Sequence, residues 1–178
     1  MRCPLVALAL FALTACSTAP PSVAGTHDDA QDHAAILTTV DRFFEAMAAR
    51  DPQACAATTT GDGMVHSVTI REGRAALRAR SMRDFAEQLK TGTERLVETY
   101  WQPTILQRGP VAMVWTPYRF RVDGVDSHGG VDVFTLVKDR GEWRIANAAY
   151  TAEPAGDAVL TPDLAPAPGA IVRPASLR

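Results

Sequence analysis

The chain lacks a strong charge of either sign, an apolar run long enough to cross a bilayer, and the short motifs that announce common enzymes. Its 18 basic and 20 acidic residues give a formal charge of −2. That argues against a nucleic acid partner, because neutralising phosphates takes a clustered excess of Lys and Arg. No phosphate loop, dinucleotide-binding glycine fingerprint, zinc-ligand spacing or nucleophile elbow occurs. The reading therefore calls for no cofactor and no metal. His27 and His33, among Asp28, Asp29 and Asp32, read first as a solvated helix start and only then as a metal site. The apolar stretch from Cys3 to Leu13 falls short of the ~20 residues that a transmembrane helix needs.

Cysteine is scarce as well, and its three positions are informative. Met1-Arg2 and the apolar stretch that follows have the shape of a secretory signal. It ends Leu13-Thr14-Ala15-Cys16, which resembles the lipobox of bacterial lipoproteins, in which the Cys is lipidated and becomes the mature N-terminus. The alternative is an ordinary signal with an incidental Cys. Under the lipoprotein reading residues 1–15 are removed and Cys16 is the membrane anchor, with Ser17 compatible with the outer membrane, facing the periplasm. The formal charge becomes −3 on loss of Arg2, and only Cys55 remains, so an intramolecular disulfide is excluded even in an oxidising compartment. Cys55 itself reads as a small buried hydrophobe.

Residues 16–29 read as a flexible tether, and 153–178, rich in Pro and Ala, as a disordered or loosely attached tail. One domain is left, residues 30–152. Ile36, Leu37, Val40, Phe43, Phe44 and Met47 recur at three- and four-residue spacing, which predicts a long amphipathic helix between Asp32 and Arg50. Asp51-Pro52 supplies an N-cap and a first helical Pro for a short second helix through about Thr59. Met64 to Arg71 alternates as a strand. Ser81-Met82-Arg83-Asp84 is a capping box with Asp for Glu, opening a third helix whose stripe is Met82, Phe85, Ala86 and Leu89. Four strand-like runs follow: 95–107, 111–123, 125–138 and 142–151. Helices first and antiparallel strands afterwards predict an α+β fold, with N-terminal helices packed on a curved, mostly antiparallel sheet.

Val40-Asp41-Arg42-Phe43-Phe44-Glu45-Ala46-Met47, Asp51-Pro52, Gly61-Asp62-Gly63, Trp115-Thr116-Pro117-Tyr118, Phe134-Thr135-Leu136-Val137 and Trp143-Arg144-Ile145-Ala146 together resemble the nuclear transport factor 2-like superfamily. Within it the chain is most similar to SnoaL-like and ketosteroid-isomerase-like proteins. The resemblance implies a conical fold with a pocket between helices and sheet, and frequent homodimers. It also implies that a pocket aspartate can do acid-base chemistry beside a carbonyl.

The best lead to function is Asp132, a lone carboxylate in the apolar ladder Val131 to Val137. An ionised group is costly to bury, so it stands either in a pocket that uses it or on an open face. The Asp123-Gly124 turn sets Val122 opposite Val125, and an unbroken register then sets Arg119 opposite His128, Trp115 opposite Asp132 and Met113 opposite Phe134. A turn at Arg140-Gly141 sets Phe134 opposite Asn147 and Asp132 opposite Ala149. One face would then carry Met113, Trp115, Arg119, His128, Asp132, Phe134, Asn147 and Trp143, with Asp132 and His128 as candidate catalytic residues and the others lining a ligand pocket. His128 and Asp132 lie ~13 Å apart along a strand, so a direct dyad would need a bulge at Gly129-Gly130. Asp132 pairs better with Trp115 and Asn147. A structural role for Asp132, as an acceptor for backbone or Trp N–H groups, stays open.

Tyr100, Trp101 and Tyr118 are expected on the opposite face with Val114, Thr116, Phe120, Val131 and Val133, an apolar surface suited to dimerisation. Arg71, Arg74, Arg78, Arg80 and Arg83 make a solvated face, a contact for anionic headgroups, or an anion site at the pocket mouth. Three functions follow: a lipid-anchored envelope protein binding a small apolar or aromatic molecule, an isomerase-, cyclase- or dehydratase-type enzyme using Asp132 as general acid or base, and a dimerising interaction module without a ligand.

Overall fold

The computed structural model describes residues 29–155 and 172–174, so the expected signal peptide, the expected lipidation site Cys16, nearly all of the expected tether and most of the expected tail lie outside the described residues. Helices α1 (Asp29–Ala48) and α2 (Pro52–Ala57) come first, then strands β1 (Met64–Arg71) and β2 (Arg74–Ser81) and helix α3 (Met82–Gln88). Strands β3 (Leu96–Trp101), β4 (Thr104–Arg108), β5 (Val111–Val122), β6 (Val125–Asp139), β7 (Glu142–Pro154) and β8 (Val172–Pro174) complete it. The sheet order is β2-β1-β7-β6-β5-β3-β8, with β4 also on β5. All pairs are antiparallel except β1 with β7. This is the expected α+β arrangement, a long helix packed on one face of a curved, mostly antiparallel sheet.

Local chemistry sets the boundaries. Asp51 Oδ1 accepts the N–H groups of Gln53 and Ala54, both at 2.9 Å, and Pro52 opens α2 without wasting a donor. Ser81 Oγ accepts the Asp84 N–H at 3.0 Å and starts α3. Two elements differ from expectation. The run 95–107 is two strands, broken where Gln102 takes a positive φ of 48°. The arginine-rich segment before α3 is strand β2, paired along its whole length with β1. Its polar residues hid the alternation that usually betrays a strand.

The stripe of α1 is buried as its spacing predicts, with Ile36, Val40, Phe43, Phe44 and Met47 set against the sheet. Phe43 and Phe44 close edge-on over Phe134, at centroid distances of 6.0 and 5.7 Å. Burying each such side chain contributes roughly 1.5–3 kcal/mol. Near the start of α1 a polar lock joins helix to sheet: Asp32 accepts Lys138 Nζ at 2.6 Å, Gln107 Nε2 at 3.0 Å and Trp143 Nε1 at 3.2 Å. These bonds, that from Lys138 foremost, hold the Asp32 carboxyl below the usual carboxylate range. Cys55 is fully buried and burial pushes its thiol up to about 12, so it is packing material.

Candidate functional site

Two β-bulges decide what the site contains. The β5–β6 hairpin begins as expected, Val122 opposite Val125 and Arg121 opposite Asp126, but Phe120 then faces His128, leaving Ser127 as an extra residue. Every later partner on β5 moves by one place. Asp132 lies opposite Thr116, Val133 opposite Trp115 and Phe134 opposite Val114. Between β6 and β7 a second shift at Thr135/Leu136 sets Leu136 opposite Ile145 but Phe134 opposite Ala148 and Asp132 opposite Tyr150. A one-residue slip reverses which side chains share a face.

The expected lining is corrected accordingly. His128, Asp132 and Phe134 line a cavity of about 260 Å³ beneath α1 and α3. Met113, Trp115, Arg119, Asn147 and Trp143 are absent from its walls. Trp115 is on the outer face and 36% exposed. Asn147 is exposed and accepts the Met64 N–H through its side-chain oxygen at 3.0 Å. Arg119 sits 3.9 Å from Asp126 at the rim. Trp143 is buried in the Asp32 lock. Conversely Tyr100, Val114, Thr116 and Tyr118 are buried inward, and Phe120 lines the cavity, so the apolar outer face loses these members and keeps Val131 and Val133.

The cavity is walled by Phe43, Phe44, Phe85, Phe120, Phe134 and Tyr150, and its polar lining comes from Arg50, Arg80, Gln88, Glu98, Tyr118, His128 and Asp132. Glu98 and Tyr118 are two that sequence reasoning missed. Glu98 stands in the apolar strand Leu96–Trp101, the same signal that singled out Asp132. Tyr118 was placed on the wrong face by the bulge. Glu98 is 7% and Asp132 5% exposed, and their carboxyls are hydrogen-bonded to each other. Two buried carboxyls in contact cannot both ionise cheaply, so one proton is shared between them. Burial, with repulsion from Asp132, raises Glu98 well above its ordinary value; burial pushes Asp132 up to about 7, opposed by the bond from Glu98. Protonated Glu98 thus donates to the Asp132 carboxylate. Asp132 Oδ2 is buried, and no N–H or hydroxyl group of the described residues donates to it. Glu98 supplies this carboxylate with one proton, and its remaining acceptor capacity is open to a donor on a ligand.

The surroundings fix this pair. Tyr118 Oη donates to the Thr151 carbonyl at 2.8 Å, and burial beside the two carboxyls raises its ionisation far above the ordinary phenol range. Its ring meets Tyr150 edge-on at 6.2 Å and His128 at 5.9 Å. His128 is held neutral by burial, and its Nδ1 lies 3.1 Å from Ser127 Oγ. No bulge occurs at Gly129-Gly130, where both glycines follow the β5 register, so the dyad condition is unmet. Gly130, between His128 and Asp132 on this face, has φ 154°, and a Cβ there would fall 2.4 Å from the Thr151 carbonyl oxygen. Gly130→Ala should destabilise the protein by roughly 1–3 kcal/mol, read as a lower urea midpoint at an unchanged slope. Retention of wild-type stability would show that β7 yields freely.

The family described as "Putative lumazine-binding" matches residues 31–151. No curated protein matches the chain. Among solved structures it is similar to a nuclear transport factor 2-like protein of unknown function from Silicibacter pomeroyi, at 19% identity and TM-score 0.51 over 71% of this chain and 99% of that one. A protein of unknown function with a cystatin-like fold from Nostoc punctiforme matches at 15% identity and TM-score 0.55, over 71% and 94%. One described as "Putative Scytalone Dehydratase" from Novosphingobium aromaticivorans matches at 16% and 0.54, over 70% and 85%. At these identities the likeness is one of fold. With the match to its family model covering residues 31–151, the chain belongs to the family described as "Putative lumazine-binding", and its fold is nuclear transport factor 2-like.

Proposed function

We propose that the protein binds one small, planar, largely apolar molecule in this cavity and holds it by an N–H or O–H group donated to the Asp132 carboxylate. A buried carboxylate that receives no N–H or hydroxyl from the described residues, in a chamber walled by aromatic rings, carries the reading. The volume, about 260 Å³, lies just under the ~300–1,000 Å³ usual for drug-sized ligands and suits one or two fused rings. The family's description makes lumazine, a fused bicycle with N–H donors, the first compound to try. The leader ending in Cys16 supports an envelope protein carried on a lipid anchor. A homodimer through the outer face around Trp115 belongs to the same proposal.

A second reading is supported by one observation. A carboxyl raised to about 7 in an apolar chamber is poised to take or give a proton at neutral pH, as a general acid-base in isomerisation or dehydration requires. Asp132→Asn separates the two. Asn offers Oδ1 as an acceptor but cannot carry a proton, so binding should weaken about tenfold, as expected when a charge-assisted bond becomes neutral. Calorimetric titration reads that loss. Affinity unchanged in Asp132→Asn would remove Asp132 from the ligand contact. Turnover of any bound compound that collapses in the variant would move the assignment to the enzyme.

A further inference from the structure

Outside the aromatic cavity lies a second hollow of about 550 Å³, lined among others by Ser67, Thr69, Arg71, Arg78, Arg80 and Ser127. The two hollows share Arg80, Gln88, His128 and Tyr150, so the outer one is a vestibule to the inner. The β1–β2 hairpin builds it. Strand period puts Arg74, Arg78 and Arg80 on one face of β2, where Arg78 pairs with Ser67, Arg80 with Val65 and Arg74 with Arg71 of β1. The opposite face carries Ala75, Leu77 and Ala79. Guanidinium groups two residues apart stand ~7 Å from one another and repel. No carboxylate of a described residue lines the vestibule, and no ion pair with a described residue engages Arg71, Arg78 or Arg80. Arg80 is positioned by neutral groups alone, a bond to Gln88 Oε1 and the face of the Phe85 ring at 4.7 Å. Elsewhere the chain does pair its arginines: Arg50 with Glu94 and Arg121 with Asp126.

We propose that the vestibule binds the anionic group, phosphate or carboxylate, of the same small molecule whose apolar body fills the inner cavity. This rests on the cavity reading above and adds the ligand's class: an amphiphilic anion with a flat apolar end. Guanidinium forks grip such oxygens in pairs, and the hydroxyls of Ser67, Thr69 and Ser127 supply further donors. The apolar end enters past Tyr150 and His128, while the charge remains among the arginines.

Calorimetry on the full chain with 1,5-dihydroxynaphthalene as the naphthol, 5-hydroxy-1-naphthyl phosphate as its phosphate ester and inorganic pyrophosphate tests it, the free hydroxyl of both aromatics supplying the donor for Asp132. The phosphate ester should bind at least tenfold more tightly than the naphthol at low salt, with the gap shrinking as salt is added. In the double variant Arg71→Gln and Arg78→Gln the gap should close while naphthol affinity stays the same. Equal affinities in the wild type, or a gap that survives the double variant, would overturn the proposal. Naphthol that fails to bind, with pyrophosphate binding kept and dependent on the arginines, would overturn the cavity reading and support the anion site. Arginine-dependent sedimentation with phosphatidylglycerol vesicles, but not with phosphatidylcholine ones, and without any naphthyl phosphate effect would assign the site to lipid headgroups and overturn it.

Discussion

Stability should fall as pH rises from about 4 to beyond 7, and Asp132→Asn should remove the share of that fall that Asp132 carries. Asp132 has an ordinary value of 3.8 and a folded value of about 7, so between these limits the folded chain holds a proton that the unfolded chain releases. Stability is then fully present below about 4 and is lost as pH climbs through the folded value. At ~1.36 kcal/mol for each unit, the loss is on the order of 4 kcal/mol for Asp132. Glu98, also raised, extends the decline to higher pH. Asp32 works in the opposite sense: its depressed carboxyl contributes stability above 3.8 that is lost as pH drops. A stability maximum near pH 4–5 is the expected result. Urea denaturation of wild type and Asp132→Asn at a series of pH values isolates the pair, since every other group cancels in the difference. The variant should match the wild type within about 1 kcal/mol at pH 4 and exceed it by several at pH 8. A constant difference across that range would mean that folded Asp132 does not keep its proton up to about pH 7.

The second large effect concerns the cavity's volume. Ala148 is buried on β7, opposite Phe134 on β6 and Val65 on β1, and lines the inner cavity. Ala148→Leu adds three carbons to a wall of this cavity. Overpacking usually costs about 1–3 kcal/mol, but here the cavity takes up the volume, so the melting temperature should stay level or rise. Ligand affinity should drop at least about a hundredfold, near 2.7 kcal/mol. Ala149→Leu, one residue away on the exposed face, is the control and should bind normally. Equal affinity in both variants would place the ligand elsewhere on the molecule.

How much of this was legible in the sequence depends on range. The stripe of α1, the Asp51-Pro52 cap and the Asp123-Gly124 turn are local patterns, and each forms as its residues dictate. The lone carboxylate in an apolar strand also pointed truly, since Asp132 is buried and faces the cavity. Its neighbours were illegible because an antiparallel register is additive: one extra residue at Ser127 and another between Ile145 and Asn147 reverse the facing of β5 and β7. No local signal marks either bulge, so Trp115 and Asn147 stood where Tyr118 and Tyr150 belong. Glu98 could have been found by the reasoning that found Asp132, because Leu-Val-Glu-Thr-Tyr-Trp buries a charge in the same manner. β2 was missed for a different reason. Its arginines face a polar vestibule, so the usual rule that the concave face is apolar runs backwards there.

The central claim is that a small molecule occupies the chamber ending at Asp132. Native mass spectrometry of the full chain, isolated from the cells that make it, tests this most directly when wild type and Ala148→Leu are compared. One bound mass per chain in the wild type, absent from Ala148→Leu, is the predicted result. A wild-type chain carrying no adduct, or an adduct that persists in Ala148→Leu, would contradict it.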